Sequence, residues 1–397
     1  MPIVVHLYTV CAMAGSYDVV VAGAGPAGSL AAYHLARAGY CVLLVEREHL
    51  PRYKPCGGGV TLKSLRELPF PIDDVVERDV CEAEIRFGAD RVIRARGERV
   101  GTMVMRSAFD AGLARRAVEA GAELCEGVRV RAVRRPAGGR IAVETTAGEF
   151  RARCVIGADG ANSVVAMCCG LGQQREWGIA IEAEIDLPLG RTPEPLVVFD
   201  FRAVPGGYAY VFPKARHSSV GVYTIRPSLP QLRACLDAYI QGTPALRDGV
   251  VRTCVGHKVP LGRVSGPLHR DGVLLAGDAA GLGDPLWGEG IFFALRSGRI
   301  AAEVVNAAFE RAGAGVVPRL SDYDTRIRRE LAGDLRYARA FARFFYRFPR
   351  GRAASLARDP LLAQGMMDIL RGQCSYRRFV PMVLRRLPAL LASRVTA

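Results

Sequence analysis

The sequence predicts an α/β protein: a Rossmann-like dinucleotide-binding domain, interrupted by an inserted antiparallel sheet and followed by a helical C-terminal region. Three observations carry this. Residues 17–46 run strand, glycine turn, helix and second strand without a break. Short apolar runs of the buried parallel type return much later, at Cys154–Ala158 and Gly272–Ala276. Between them, from about 175 to 262, strand-like runs are separated by Gly and Pro, the pattern of an antiparallel sheet.

Tyr17–Ala22 is a β-branched run with no turn former, suited to a buried parallel strand. Gly23, Gly25 and Gly28 then fit G-x-G-x-x-G, with Ala27 inside the motif. The first glycine permits the tight turn, the second lets backbone N–H groups approach a pyrophosphate, and the third lets the helix lie close on the strand. The helix N-terminus adds unpaired N–H groups and partial positive charge for the phosphates. Glu46 follows at the spacing of an acid that accepts hydrogen bonds from a ribose, with Arg47 beside it. Such glycine turns are common alone; strand, helix and acid in order make this one a dinucleotide site.

A glycine cluster at 57–59 comes next, then mixed strand and turn material to about 104. Thr102–Ala120 reads as a loop entering a helix that Gly121 stops. Residues 122–156 alternate as short strands, and Gly178–Leu187 and Tyr208–Phe212 are strands of the inserted sheet. Gly290–Phe309 is a long helix. The expected division is therefore 17–80, 105–165 and 265–310 for the dinucleotide domain, 81–104 and 166–264 for the substrate sheet, and 311–397 for the helical region.

At 397 residues, half of them hydrophobic, the chain can bury a large core without staples. Its eleven cysteines include no C-x-x-C pair and no metal-finger spacing, and Cys41 and Cys154 fall in strand-like runs. Reduced thiols in a cytoplasmic setting are expected, with no metal. Residues 1–16 carry no charge apart from His6 and read as a ragged extension, with Met13 as an alternative start. The formal charge of +15 is concentrated at the end: 311–397 holds 18 Arg against six Asp and Glu. Mixed with aromatic and aliphatic residues, at Arg343–Arg347, Tyr376–Arg378 and Leu384–Leu391, these arginines suit a surface that meets anionic lipid, peripherally, or an acidic substrate, or else a solvated helical cap. No nucleic-acid-binding motif accompanies them.

Two further segments, Val155-Ile-Gly-Ala-Asp159-Gly160 and Val273-Leu-Leu-Ala-Gly277-Asp278, resemble the DG and GD motifs of the p-hydroxybenzoate hydroxylase superfamily. The resemblance spans most of the chain and implies FAD. It assigns Asp278 to the ribityl chain, and Pro285, Gly288, Gly290 and Ile291 to a helix start facing the flavin pyrimidine. A helix N-terminus there would stabilise the negative edge of a reduced flavin. Arg106, in R-S-A-F-D, matches the position that approaches the FAD phosphates.

Lys54-Pro-Cys56-Gly57-Gly58-Gly59 is similar to the PCGGG loop of the geranylgeranyl reductase family, which saturates isolated C=C bonds of isoprenoid chains. By position, Cys56 takes the place near flavin and substrate, and the three glycines let the backbone run against the flavin ring. Tyr208-Ala-Tyr210-Val-Phe212-Pro213 resembles that family's Y-x-W-x-F-P, with Tyr210 in place of Trp. Alternation sets Tyr208, Tyr210 and Phe212 on one strand face as an aromatic wall for a prenyl chain. Gly256–Pro260 and the Gly372–Tyr376 helix start resemble two further family segments.

These expectations define an FAD-dependent reductase that transfers hydride from reduced flavin to a prenyl alkene, with Cys56, or a water it holds, as candidate proton donor. No second G-x-G-x-x-G marks a separate domain for the electron donor, so NADPH or a ferredoxin partner would serve. Two readings compete: an aromatic monooxygenase of the same superfamily, and a non-catalytic flavin- and lipid-binding protein.

Overall fold

A computed structural model of the chain describes residues 15–88, 91–135, 139–172, 176–228, 230–312, 320–347 and 359–392. The expectation for the N-terminal extension falls almost wholly outside them.

Two sheets organise the described residues. In the first, Glu123–Cys125, Val42–Val45, Gly15–Ala22, Gly148–Gly157 and Val273–Leu275 pair in parallel, in that spatial order. Val19–Ala22 and Val42–Val45 are essentially fully buried. That is why these strands are continuous apolar runs rather than alternating ones. The helix Pro26–Arg37 lies over the sheet, with proline at its first position, where the missing N–H costs nothing. It packs on Ile291–Ala312 so closely that a side chain at Gly298 would begin 2.2 Å from the Ala27 carbonyl oxygen.

The second sheet runs Val250–Pro260, Trp177–Asp186, His217–Thr224, Gly207–Pro213, Leu196–Asp200, Val76–Gly88, Arg91–Val104 and Gly59–Thr61. All its neighbours are antiparallel except Leu196–Asp200 on Val76–Gly88. It is the expected inserted sheet, with differences at its borders. Gly59–Thr61 and Val76–Val80 belong to it, although their positions suggested the first layer. Thr102–Val104 completes a strand instead of forming a loop, and the helix begins at Arg106. Leu232–Gly242, inside the span where strand-like runs dominate, is a helix that buries Leu232, Leu236 and Ile240 against the sheet; their four-residue spacing is a helical stripe.

The described part of the C-terminal region is helical. Asp322–Ile327 passes through a π turn into Gly333–Arg347, followed by Pro360–Arg371 and Tyr376–Ala392. Phe341, Phe345, Tyr346 and Phe379 are buried in the core. The aromatic half of the tail thus faces protein, not lipid, while Arg343 and Arg347 remain exposed. No described helix is long and apolar enough to cross a membrane. Among the described residues, Cys41, Cys56, Cys154, Cys168, Cys169, Cys235, Cys254 and Cys374 are free thiols. Cys41 is exposed and precedes its strand, whereas Cys154 is buried within one.

Candidate functional site

The glycine turn after the first strand is built as its motif requires. Gly23 has φ +100°, and a side chain at Gly28 would begin 1.9 Å from the Gly23 carbonyl oxygen. Gly25, in contrast, faces open space: an added Cβ meets nothing within 4 Å. No side chain caps the helix behind it, and its first turn holds no acid. An FAD pyrophosphate fits this cradle of bare backbone beside a positive helix end. Glu46 is buried beside it, accepting from Ala24 N–H at 2.9 Å and Glu48 N–H at 3.2 Å. Arg47 lies at the surface, 3.5 Å from Glu48. Arg52, which sequence reasoning passed over, instead reaches Glu46 at 3.4 Å and Asp110 at 3.0 Å.

Asp159 accepts from Ser163 Oγ at 2.5 Å and Val164 N–H at 2.7 Å, so it holds the start of the following helix. Gly160 has φ +81° and leaves open space. Gly277 and Asp278 form a tight turn, with Asp278 Oδ1 3.5 Å from where a Gly290 side chain would begin. The DG and GD segments are hydrogen-bonded neighbours, since Leu275 pairs with Gly157.

The Cys56–Gly59 loop forms one side of an internal cavity. Its glycines are demanded by the protein itself: a Cβ at Gly57 would begin 2.4 Å from the Phe212 ring. At Gly58, with φ +64°, it would begin 1.9 Å from the Val104 carbonyl oxygen. Opposite the loop stand Tyr208, Tyr210 and Phe212 together with Phe199 from the next strand. Pro213 does not line the cavity, because alternation turns it to the other face of the strand. Gly288, Gly290 and Ile291 close a further side, and Leu370 reaches in from the tail.

Charge gathers behind Cys56. The Arg106 guanidinium is buried, forms a bidentate pair with Asp110 at 2.8 and 2.9 Å, and also contacts the Cys56 sulfur. Lys54 lies within electrostatic reach of both; burial, reinforced by Arg106, lowers its pKa, while Asp278 and Cys56 oppose the shift. His257 lines the cavity with its Nδ1 unpartnered, held neutral by burial and by Lys54 and Arg106, at a pKa of about 3.

Glu182, absent from the sequence-based site, is fully buried and joins two parts of it. Its Oε1 accepts the Cys56 backbone N–H and its Oε2 accepts the Tyr210 hydroxyl, each at 2.7 Å. Tyr210 reaches it by lying over Gly221, which sits between them on the intervening strand. Burial pushes the Glu182 carboxyl up to about 7, against the hydrogen bond from Tyr210 and the nearby Lys214. Lys214 is itself fully buried and donates to the Gly57 carbonyl at 2.5 Å. The tyrosine that replaces the expected tryptophan therefore uses its added hydroxyl to anchor the wall.

The loop before the long helix is gripped by tyrosines from four separate elements. Tyr223 donates to the Pro285 carbonyl at 2.9 Å, Tyr346 to Leu286 at 2.7 Å, Tyr208 to Trp287, and Tyr376 to the Asp284 carboxylate. Each phenol presents an apolar ring to the core and a hydroxyl to a carbonyl or carboxylate.

Residues 18–364 match the family model described as lycopene cyclase protein. Digeranylgeranylglycerophospholipid reductase 1 of Methanopyrus kandleri is 36% identical over 74% of this chain and 81% of its own. Geranylgeranyl diphosphate reductase of Rhodobacter capsulatus is 34% identical over 73% and 75%. Among solved structures, a geranylgeranyl bacteriochlorophyll reductase-like protein from Thermoplasma acidophilum superposes with a TM-score of 0.82 at 25% identity, covering 96% of this chain and 98% of that one. With the cofactor cradle, the PCGGG loop and these relatives in agreement, the chain belongs to the geranylgeranyl reductase family of FAD-dependent oxidoreductases.

Proposed function

We propose that the protein saturates C=C bonds of a geranylgeranyl-type chain, and that the cavity between the Cys56–Gly59 loop and the aromatic strand receives that chain. The observation that carries this reading is the composition of the cavity wall. Val80, Val100, Val197, Phe199, Tyr208, Phe212, Val259 and Leu370 line it, and the flavin-side loops bound it. Two related enzymes are named for geranylgeranyl groups joined to a diphosphate or a phospholipid. An aromatic monooxygenase or a non-catalytic lipid binder is not favoured.

An isolated alkene has no carbonyl to polarise it, so the site must exclude water, orient the double bond and supply a proton. Bound and reduced, FAD supplies the hydride. The aromatic wall and aliphatic residues exclude water and hold the alkene. Gly23, Gly25, Ala27, Gly28, Glu46 and Arg47 would bind the adenosine and pyrophosphate end, with Arg106, Asp159 and Gly160 nearby. Gly277, Asp278, Pro285, Gly288, Gly290 and Ile291 would meet the ribityl and pyrimidine end. Cys56 gives its thiol proton to the carbon that does not receive hydride, and Arg106 and Lys54 stabilise the thiolate left behind until it regains a proton. Two new C–H bonds replace one π bond, with the flavin oxidised. Electrons arrive from NADPH bound transiently or from a ferredoxin, and exposed arginines of the last helix, Arg377, Arg378 and Arg385, give peripheral contact with anionic lipid.

The test is mass spectrometry of geranylgeraniol incubated with dithionite-reduced, FAD-loaded protein under anaerobic conditions. Gain of two hydrogen atoms per reduced bond, with reoxidation of the flavin, is expected. Product that forms only in air and carries added oxygen would replace this reading with a monooxygenase.

A further inference from the structure

A second recess lies at the surface on the far side of the cavity's aromatic wall, walled by Ile225, Arg226, Arg343, Tyr346 and Arg347. Three arginines line it, and among the described residues no carboxylate does. Arg343 pairs with Glu176 at 2.7 Å, but Glu176 also serves Arg263 at 2.7 Å. Arg226 and Arg347 have no carboxylate partner among the described residues. The arginines extend beyond the recess: burial lowers the Arg339 pKa, Glu176 opposes the shift, and Arg343, Arg263 and Arg336 add to it. The position of Arg226 is set by the fold, because its side chain lies over Gly206, where an added Cβ would begin 2.9 Å from the arginine Nε. Concentrated positive charge that one shared carboxylate compensates only in part is unfavourable by itself and is relieved by a multiply charged anion, which arginine forks bind bidentately.

Tyr346 connects this recess to the reaction cavity. Its ring lies 6.1 Å from that of Phe201, which in turn is 5.3 Å from Tyr208 and 5.7 Å from Trp287, both cavity residues. Its hydroxyl holds the Leu286 carbonyl in the loop that bounds the cavity. The Tyr346 and Phe201 rings therefore stand between an arginine-lined recess and the cavity residues Tyr208 and Trp287. This arrangement suits an amphiphile with a phosphorylated head and an isoprenoid tail.

We propose that the recess formed by Arg226, Arg343, Tyr346 and Arg347 binds the phosphate or diphosphate head group of the prenyl substrate. The inference rests on the prenyl-reductase reading for its substrate, but its binding site is tested separately. FAD-loaded protein is titrated calorimetrically with inorganic pyrophosphate and with inorganic phosphate, as wild type and as the Arg226→Ala/Arg347→Ala double variant. Wild type binds, and the double variant binds at least tenfold more weakly while retaining flavin content and circular dichroism. Absence of wild-type binding, or equal binding by the variant, overturns the proposal whether or not the protein reduces alkenes.

The kinetic arm uses geranylgeranyl diphosphate and geranylgeraniol. The double variant raises KM for the diphosphate about tenfold or more, leaves kcat within about twofold, and does not alter KM for the alcohol. Equal effects on both substrates would overturn the head-group assignment. So would loss of binding to vesicles containing phosphatidylglycerol with unchanged KM for the diphosphate, which would give the arginines to the membrane surface. Failure of wild type to reduce the alcohol would instead count against the reductase reading.

Discussion

The Tyr376 hydroxyl sits 2.9 and 2.8 Å from the two carboxylate oxygens of Asp284, across 92 residues of sequence. Both residues are buried, and Asp284 also accepts backbone N–H groups of Leu286 and Trp287 at 2.7 and 3.1 Å. The contact ties the C-terminal helices to the loop that bounds the cavity.

Tyr376→Phe should therefore cost about 1–3 kcal/mol of stability, the usual penalty for leaving a buried acceptor short of a donor, measured as a shift in the denaturant midpoint. Burial already pushes the Asp284 carboxyl up to about 6. Because this lies above its ordinary value of 3.8, the folded state holds the proton more tightly than the unfolded chain does. The Asp284 contribution to stability thus falls as pH rises from about 4 to 6. Asp284→Asn should remove that part of the slope; an unchanged slope would count against it.

Cys56→Ala should keep FAD and lose about 10²–10⁴ in the single-turnover oxidation of reduced flavin by a prenyl alkene, the usual contribution of a positioned acid. Cys41→Ala should be near neutral, being exposed, and Cys154→Ala should affect stability alone, being buried in a strand. A loss under about threefold at Cys56 would leave it a packing residue.

Glu182→Gln should flatten stability against pH between about 4.5 and 7. In that window the wild-type carboxyl, held at about 7 by burial, ionises at the expense of the folded state. Denaturant unfolding at the two ends of the window measures it. Gly221→Ala tests the same contact from the other side. Its methyl would begin 2.3 Å from the Tyr210 hydroxyl, so Tyr210 must leave Glu182. Prenyl turnover should drop with flavin retained.

Gly25→Val should fold and lose FAD, because its side chain enters open space where the pyrophosphate belongs. Gly28→Ala should be destabilised even without cofactor, since its methyl would begin 1.9 Å from the Gly23 carbonyl oxygen. Flavin absorbance of the purified proteins and their melting temperatures separate the two outcomes. Full absorbance in Gly25→Val would show the cofactor cradle to be misplaced.

The cofactor layer was legible because its determinants are local. Gly23–Gly28, Asp159–Gly160 and Gly277–Asp278 each form one turn whose backbone needs are written in adjacent letters. The cavity was half legible: Tyr208, Tyr210 and Phe212 share a strand, so alternation groups them, and the same alternation excludes Pro213. Glu182, Phe199, Trp287 and His257 come from other elements, and only the pairing of distant strands assembles them. Glu182 did leave a signal, as one of three acids alternating through the apolar run Ile179–Asp186. In the tail, an amphipathic pattern reveals two faces but not which partner covers the apolar one; here Phe341, Phe345 and Phe379 face the protein's own core.

Leu370 places a piece of the tail inside the cavity wall, outside both sheets and away from the nucleotide motifs. On the proposed reading, the room for a hydrocarbon guest is bounded in part by this helix, so substitutions in it should change which chain fits without touching the residues that hold the redox group.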